Sequence, residues 1–401
     1  VMELLDKHQL DFEIPNGMRA DYILPQHFAT MKRGMTTLSV SAESGVQRVV
    51  DEVVDKKLDL GAIRLSLQGE YERVKDAHRV RGTFEVPITA CQSMLDSIPK
   101  GLIPKLKGMH IAGSYALKGK ASVDTAHLDR GFVVDWDTGN TCRVTEAPPE
   151  INVERFQKPF TRTAYDGEGR PFQLETGPGT ASWAPLSSTS KFMEVAVLTT
   201  EDGGFRRHHG FDQEAIKNSI RENIRKKRFV RGASTISMQL AKNLYLDRGK
   251  NLSRKLQEAI LTMYLEQALT KEQILELYFN IVEFGPNLYG IGPAARHYFS
   301  APAADLSLGQ ALYISSIMPN PKVQHFGAGG AVIPGWMDYL RKLMKIAHQR
   351  NNLTDEELDL SMREADVGIR VPKVGGSGKM LGVDFNKGLT WVGGSIGLWR
   401  P

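Results

Sequence analysis

The spacing of apolar residues changes once along this chain, and that change sets the broadest choice of fold. In Met109-His110-Ile111-Ala112-Gly113-Ser114-Tyr115-Ala116-Leu117-Lys118 the larger apolar side chains alternate, which puts them on one face of an extended strand. Ala62 to Leu67, Thr83 to Ile88 and Gly131 to Trp136 are shorter runs of the same kind. Past about residue 185 the spacing becomes helical. Ile216, Ile220 and Ile224 lie four apart, and Leu252, Leu256, Ile260 and Met263 form a second stripe. The pattern predicts an α+β chain: an antiparallel β-rich domain over residues 1–145, a connector with one hairpin over 146–184, and a mainly α domain over 185–325. An extension over 326–401 carries helices at Trp336 to Gln349 and Thr354 to Ala365, then a Gly-rich stretch with Trp391 and Trp399.

The 401 residues, 41% apolar and 24% charged, exclude a disordered or fibrous chain. Nothing approaches the run of about 18 apolar residues that a membrane-spanning helix needs. The chain starts at Val1 with no basic and apolar leader, so an anchor is expected upstream. Two cysteines, Cys91 and Cys142, exclude a four-thiolate metal site and fit either one disulfide of an exported protein or two buried thiols. The formal net charge of +5 has a local source: Arg221, Arg225, Lys226, Lys227, Arg228 and Arg231 stand against one acid, Glu222. With Ile216, Ile220 and Ile224 on the other side, this reads as a basic amphipathic helix and link for a membrane surface or an anionic lipid. A solvated charge run is the plainer reading, and nucleic acid is not the favoured partner.

Four short motifs carry no chemistry. Gly290-Ile291-Gly292-Pro293-Ala294-Ala295 resembles a dinucleotide fingerprint but reads as a turn into a helix. Around Gly375-Gly376-Ser377-Gly378-Lys379-Met380, Lys373 and Met380 stand where a phosphate loop needs Gly and Ser or Thr. Ser188-Thr189-Ser190-Lys191 lacks the partner motifs of an acylating serine. His208-His209 lacks a second metal-ligand pair.

Three blocks concentrate polar groups at helical spacing. Glu201 and Asp202 precede Arg206, Arg207, His208 and His209. In the block from Arg231 to Asn243, Gly232 and Ser234 suit a helix start, and Thr235, Gln239 and Lys242 fall within roughly 60° of one another. Ile236, Leu240 and Leu244 take a different, apolar face. Arg254 and Glu258 lie four apart, and Leu261 and Leu265 continue their stripe, so Glu258 is expected to be partly buried and held by partners.

On these residues the sequence resembles the bacterial peptidoglycan glycosyltransferases, glycosyltransferase family 51, found as the transglycosylase domain of penicillin-binding proteins and as monofunctional transglycosylases. The matching motifs are Glu201-Asp202-x-x-Phe205-x-x-His208-x-Gly210, Gly232-x-Ser234-Thr235-Ile236-x-x-Gln239-Leu240-x-Lys242-Asn243, Arg254-Lys255-x-x-Glu258 and Lys271-x-x-Ile274-Leu275-Glu276-x-Tyr278-x-Asn280. Ala294-Ala295-x-x-Tyr298-Phe299 and Pro319-Asn320-Pro321 follow in order. Ser237 and Met238 depart from it, standing where the family usually has Thr and Gln.

The resemblance implies a lysozyme-like α domain that polymerises lipid II into β-1,4 glycan strands, with inversion and release of the lipid diphosphate. It implies Glu201 and Glu258 as catalytic residues, and Asp202, Phe205, His208, Ser234, Thr235, Gln239, Lys242, Asn243, Arg254 and Lys255 as substrate-binding residues. The acceptor hydroxyl needs a carboxylate to take its proton, the role implied for Glu201. The departing diphosphate gains charge, which Lys242 and Arg254 suit. Glu258 either orients Arg254 and Lys255 or binds a divalent cation, Mg or Mn; no cofactor is certain. The implied partners are lipid II, the growing glycan strand, the membrane surface and transpeptidases or other cell-wall synthesis proteins. The implied location is the periplasmic face of the bacterial inner membrane. A glycan-cleaving lysozyme-like enzyme and a non-catalytic cell-wall scaffold are the alternatives. The role of residues 1–145 is left open.

Overall fold

The computed structural model describes residues 49–371, apart from 75, 76, 227, 250, 324 and 328, together with the pairs Lys379–Met380 and Val383–Asp384. Lys227 of the basic run, the phosphate-loop-like run apart from Lys379 and Met380, Trp391, Trp399 and everything before Val49 lie outside the described residues.

In chain order come β1 (Val49–Leu60), β2 (Ile63–Val74), β3 (Ala77–Ala90), α1 (Cys91–Ser97), β4 (His110–Ala112), β5 (Ser114–Asp124), α2 (Leu128–Gly131), β6 (Val133–Asn140) and β7 (Arg143–Glu146). The hairpin β8 (Phe160–Tyr165) and β9 (Pro171–Thr176) leads to α3 (Lys191–Thr200), α4 (Gln213–Lys226), α5 (Ile236–Tyr245), α6 (Leu252–Ala268) and α7 (Lys271–Ile281). After β10 (Glu283–Gly285) and β11 (Leu288–Tyr289) follow α8 (Ile291–Phe299), α9 (Leu308–Ile317), α10 (Pro334–Gln349) and α11 (Asp355–Val367). The fold is α+β, and no helix among the described residues is long and apolar enough to cross a membrane.

Two compact units result, and they cut across the change of period. The first takes the described part of Val1–Asn152 together with Gln213–Ala233 and Tyr245–Gln267; the second takes Val153–Asp212, Ser234–Leu244 and the described residues from Ala268 on. Compactness follows tertiary proximity rather than sequence segments, so α4 and nearly all of α6 belong with the β-rich segment.

In the first unit β1, β2, β3, β5 and β6 form one antiparallel sheet in that order. Its register puts Gln68, Thr83, Lys120 and Asp135 in one row, and pairs Leu67 with Phe84 and Val86 with Leu117 in rows of the opposite face. The strands outrun the apolar stretches that predict them because the solvent face is polar and because Gly69 pairs with Gly82 at mid-sheet. The expected strand Met109 to Lys118 is broken in two. Gly113 sits at φ +93, and a Cβ there would come 2.1 Å from Thr141 O. The chain turns at that point, so β4 pairs with β7 while β5 pairs with β3 and β6. Cys91, at the start of α1, is disulfide-bonded to Cys142, with Cα atoms 5.8 Å apart.

The helices correct two expectations. In α4 Ser219 is buried and Ile220 stays 38% exposed. Ser219 Oγ and Asn223 Nδ2 both donate to Arg231 O, and Asn223 Oδ1 accepts from the N–H groups of Val230 and Arg231, so the helix buries the groups that fold its basic link back. In α6 the buried side runs through Gln257, Glu258, Leu261, Thr262 and Leu265, while Leu256, Ile260 and Met263 are half-buried.

The second unit centres on α9, which is buried all round and packs against α3 and α10. Ser190 caps α3 and Lys191 pairs with Glu357, which leaves the Ser188 to Lys191 motif structural. Gly290 caps α8 directly after the two-residue strand β11, with no βαβ unit around it. Helix α10 begins at Pro334, two residues before the expected Trp336, and Thr354 forms a capping box with Glu357 at the head of α11. In the hairpin, Phe160, Arg162 and Ala164 are buried. The Arg162 guanidinium donates to Ile281 O at 2.5 Å and to Asn243 O at 3.5 Å, placing a cation on the carbonyl ends of α7 and α5.

Candidate active site

Glu201 follows the last turn of α3 as its C-cap, and its N–H donates to Val197 O at 2.8 Å. A carboxylate there faces the negative end of the helix dipole. Glu201 keeps a partly exposed surface but is otherwise surrounded by protein, and that burial pushes its carboxyl up from 4.5. The Gln239 amide and the charge of Lys242 pull it down, and Asp202 adds to the rise. Gln239 Nε2 donates to Glu201 Oε2 at 2.9 Å, and Tyr278 Oη donates to Gln239 Oε1 at 3.1 Å. A protonated phenol can donate here only to the amide oxygen, so Tyr278 turns the amide nitrogen toward Glu201. Burial, then the charges of Glu201 and Asp202, hold the phenol well above its usual range.

Asp202 is buried and faces inward. It accepts from the N–H of Ile236 at 2.9 Å, at the positive end of α5, and both of its oxygens lie 3.0 Å from His208 Nε2. Gly210 N–H donates to His208 Nδ1 at 3.1 Å, so the hydrogen-bond pattern puts the imidazole proton on Nε2, where it donates to Asp202. Thr235 Oγ1 accepts from Met238 N–H and donates to Gly210 O. The cap of α5 is therefore Thr235, not the expected Gly232 or Ser234. These bonds join the Glu201 turn to the start of α5.

The remaining sequence candidates divide. Gln239 and Lys242 reach Glu201 from one face of α5, as their spacing predicts. Phe205 is fully buried under Lys271, whose Nζ lies 4.3 Å from its ring centroid, and packs edge-on to His208. It supports the loop from inside. Ser234 is exposed, and Asn243 is half-buried with its carbonyl taken by Arg162. Sequence reasoning assigned no role to two residues near Glu201. Tyr278 stood in a recognised motif without a function, and Tyr339 of α10, within reach of the Glu201 charge, lies beyond the motifs.

A second cluster belongs to the first unit. Asn251 caps α6 by accepting from the N–H of Arg254 at 2.7 Å. One turn on, Glu258 is 3% exposed; its Oε1 accepts from Lys255 Nζ at 2.5 Å and its Oε2 lies 3.6 Å from Arg254 Nη1. Two cations crowd the positive end of a helix, and one buried carboxylate holds them. Among the described residues no group of three or more His, Cys, Asp or Glu could hold a metal ion. Glu258 already meets two cations, so the donor set fits a positioning carboxylate better than a metal cage.

A family model described as Transglycosylase matches residues 170–330. The chain is 39% identical over 171 residues to a biosynthetic peptidoglycan transglycosylase of Laribacter hongkongensis, covering 42% of this chain and 75% of the relative. Proteins of the same name from Pasteurella multocida and Nitrosomonas eutropha are 41% and 44% identical over 162 and 140 residues. Those two alignments take in 40% and 35% of this chain, and they span 65% and 57% of the relatives' own length.

Proposed function

This chain belongs to the transglycosylase family, and from that premise we propose that it polymerises lipid II into β-1,4 glycan strands, with inversion at the donor sugar and release of the lipid diphosphate. The observation that carries the reading is the Glu201 carboxylate, buried yet held by an oriented amide and a lysine charge.

Burial gives Glu201 the affinity for a proton that a base toward a sugar hydroxyl requires, and Gln239 with Lys242 keeps the anion from becoming too costly. Glu201 takes the acceptor proton as the oxygen attacks the anomeric carbon from the side opposite the diphosphate. Asp202, His208 and Thr235 hold the turn and α5 in register behind it. Arg254 and Lys255, set by Glu258, receive the charge that builds on the leaving diphosphate, and stabilise it more in the transition state than in the ground state. Glu258 is taken up by Arg254 and Lys255, and no step of the proposal depends on a divalent cation, Mg or Mn.

In this reading residues 185–325 are the lysozyme-like catalytic region, and its helices are divided between the two compact units. The basic link after α4, with Arg225, Lys226 and Arg228 exposed beside an 80% exposed Phe229, suits an anionic membrane surface where a lipid-linked donor is met. In this reading the enzyme works at the periplasmic face of the inner membrane, on the growing strand and beside transpeptidases or other cell-wall synthesis proteins. Incubation of the purified chain with lipid II, with and without chelator, tests the reading through strand length on gels. The expected result is polymer from the wild type and none from Glu201→Gln; polymer from the variant refutes the base, and soluble fragments released from sacculi without lipid II consumption refute the transferase.

A further inference from the structure

Helix α6 carries Arg254, Lys255 and Glu258, and the β-rich segment grips that helix at three places. Ser253 Oγ donates to Leu102 O at 2.5 Å, and Lys105 N–H donates to Gln257 Oε1 at 2.9 Å. At the far end Val144 N–H donates to Gln267 Oε1 at 2.9 Å while Gln267 Nε2 donates to Cys142 O at 2.6 Å. At 100° per residue Ser253, Gln257 and Gln267 fall within roughly 80° of one another. Arg254 and Glu258 are the next residues round, so the gripped side adjoins the side that holds the cations.

The grip is built rather than incidental. Gln257 is 5% exposed, and its amide oxygen meets a backbone N–H from a segment about 150 residues earlier in the chain. Ile103 and Leu106, on either side of that N–H, are 2% exposed. The two gripping stretches hang from one point: residues 102–105 follow α1 closely, and Cys142 is bonded to Cys91 at the head of α1. Within the same patch Gln92 Oε1 accepts from Ile111 N–H, and Cys91 N–H donates to Gly113 O. Lys105 also lines a cavity of about 170 Å³ together with Arg254, Asn251 and Gln257.

We infer that the β-rich segment is a positioning element of the transfer reaction: fastened by the Cys91–Cys142 bond, it clamps α6 through Ser253, Gln257 and Gln267 and so holds Arg254, Lys255 and Glu258 where they receive a diphosphate. Gln257 touches no reacting atom and acts through its helical neighbours. The inference deepens the proposed function and rests on it for the identity of the anion. The segment is then part of the enzyme's working parts, and an oxidising compartment is a condition for full activity.

Titration calorimetry with inorganic diphosphate reads the clamp apart from turnover, on the full oxidised chain. Gln257→Leu should weaken binding on the order of tenfold, the effect of about one lost hydrogen bond to a working helix. Gln257→Glu keeps the acceptor for Lys105 N–H and should stay within about threefold of wild type. Reduction of the disulfide should weaken the wild type and add little to Gln257→Leu, because both act through α6. Gln267→Leu, at the exposed end of the helix, carries the test if Gln257→Leu does not fold. With lipid II, kcat should fall more than KM rises. Equal diphosphate affinity in all variants, additive effects of reduction and mutation, or no binding by the wild type overturns the clamp. The expected binding pattern without lipid II turnover keeps the clamp and rejects the transferase reading instead.

Discussion

Replacing Gln239 by Leu removes the amide that donates to Glu201 Oε2 at 2.9 Å and leaves the carboxylate to burial and to the charges of Lys242 and Asp202. A hydrogen bond to a charged group contributes about 1.5–3 kcal/mol, which corresponds to a factor of roughly 10 to 150 in the fraction of competent base or in the barrier. Tyr278→Phe leaves the amide in place and removes only the 3.1 Å bond that orients it. That neutral bond is worth about 0.5–1.5 kcal/mol, so the loss should be roughly 2- to 12-fold. The sign of the pH effect follows from the direction of the shift. In the proposed mechanism Glu201 works as the anion; burial already pushes its carboxyl up, and losing the donor pushes it further up. The acid limb of kcat/KM must therefore move to higher pH in both variants, with the deficit widest in acid and narrowing in base. Initial rates of lipid II polymerisation across about pH 5 to 9 measure this. A deficit of the same size at every pH, or a larger effect from Tyr278→Phe than from Gln239→Leu, refutes the relay from Tyr278 through Gln239 to Glu201.

Glu201→Gln should raise the melting temperature while abolishing polymerisation. The folded carboxyl lies above its unfolded value of 4.5, so ionising it destabilises the fold as pH rises past that value. The variant's advantage, read by thermal denaturation, should be full in the alkaline range and close below 4.5; an advantage that persists in acid contradicts the assignment. Asp202→Ala should lower stability by about 2–4 kcal/mol, since it leaves the buried Ile236 N–H at the head of α5 without its acceptor and removes a charged bond to His208, measured by denaturant unfolding. Arg162→Met should cost about 2–5 kcal/mol by leaving the carbonyls of Asn243 and Ile281 without their donor. Loss of stability without loss of the hairpin's circular dichroism signal is the expected pattern.

Local rules made much of this chain legible before any tertiary contact was known. Period-two alternation marked the β-rich segment, and a period near 3.6 placed the helices. The helix expected from Thr354 starts there because its capping box with Glu357 is closed within one turn. The shared face of Gln239 and Lys242 followed from helix geometry alone, as did the proximity of Arg254 and Glu258. Long-range partners decided the rest. The break at Gly113 depends on Thr141, nearly thirty residues later, and local alternation carries no trace of it. The stripe of α6 read from Leu256, Ile260 and Met263 is half-buried because a polar side, Gln257 with Glu258, is the one that other segments cover. Phe205 carried a motif position yet lies wholly inside, and Tyr278 found its partner only when α7 brought its hydroxyl to Gln239. The sequence by itself determined where strand-forming segments give way to helical ones and which polar side chains share a helix face, because propensity and periodicity act over a few residues. Tertiary structure decided that α4 and α6 belong with the β-rich segment, which groups are desolvated and which hydrogen bonds orient them, because burial and pairing are set by residues far apart along the chain.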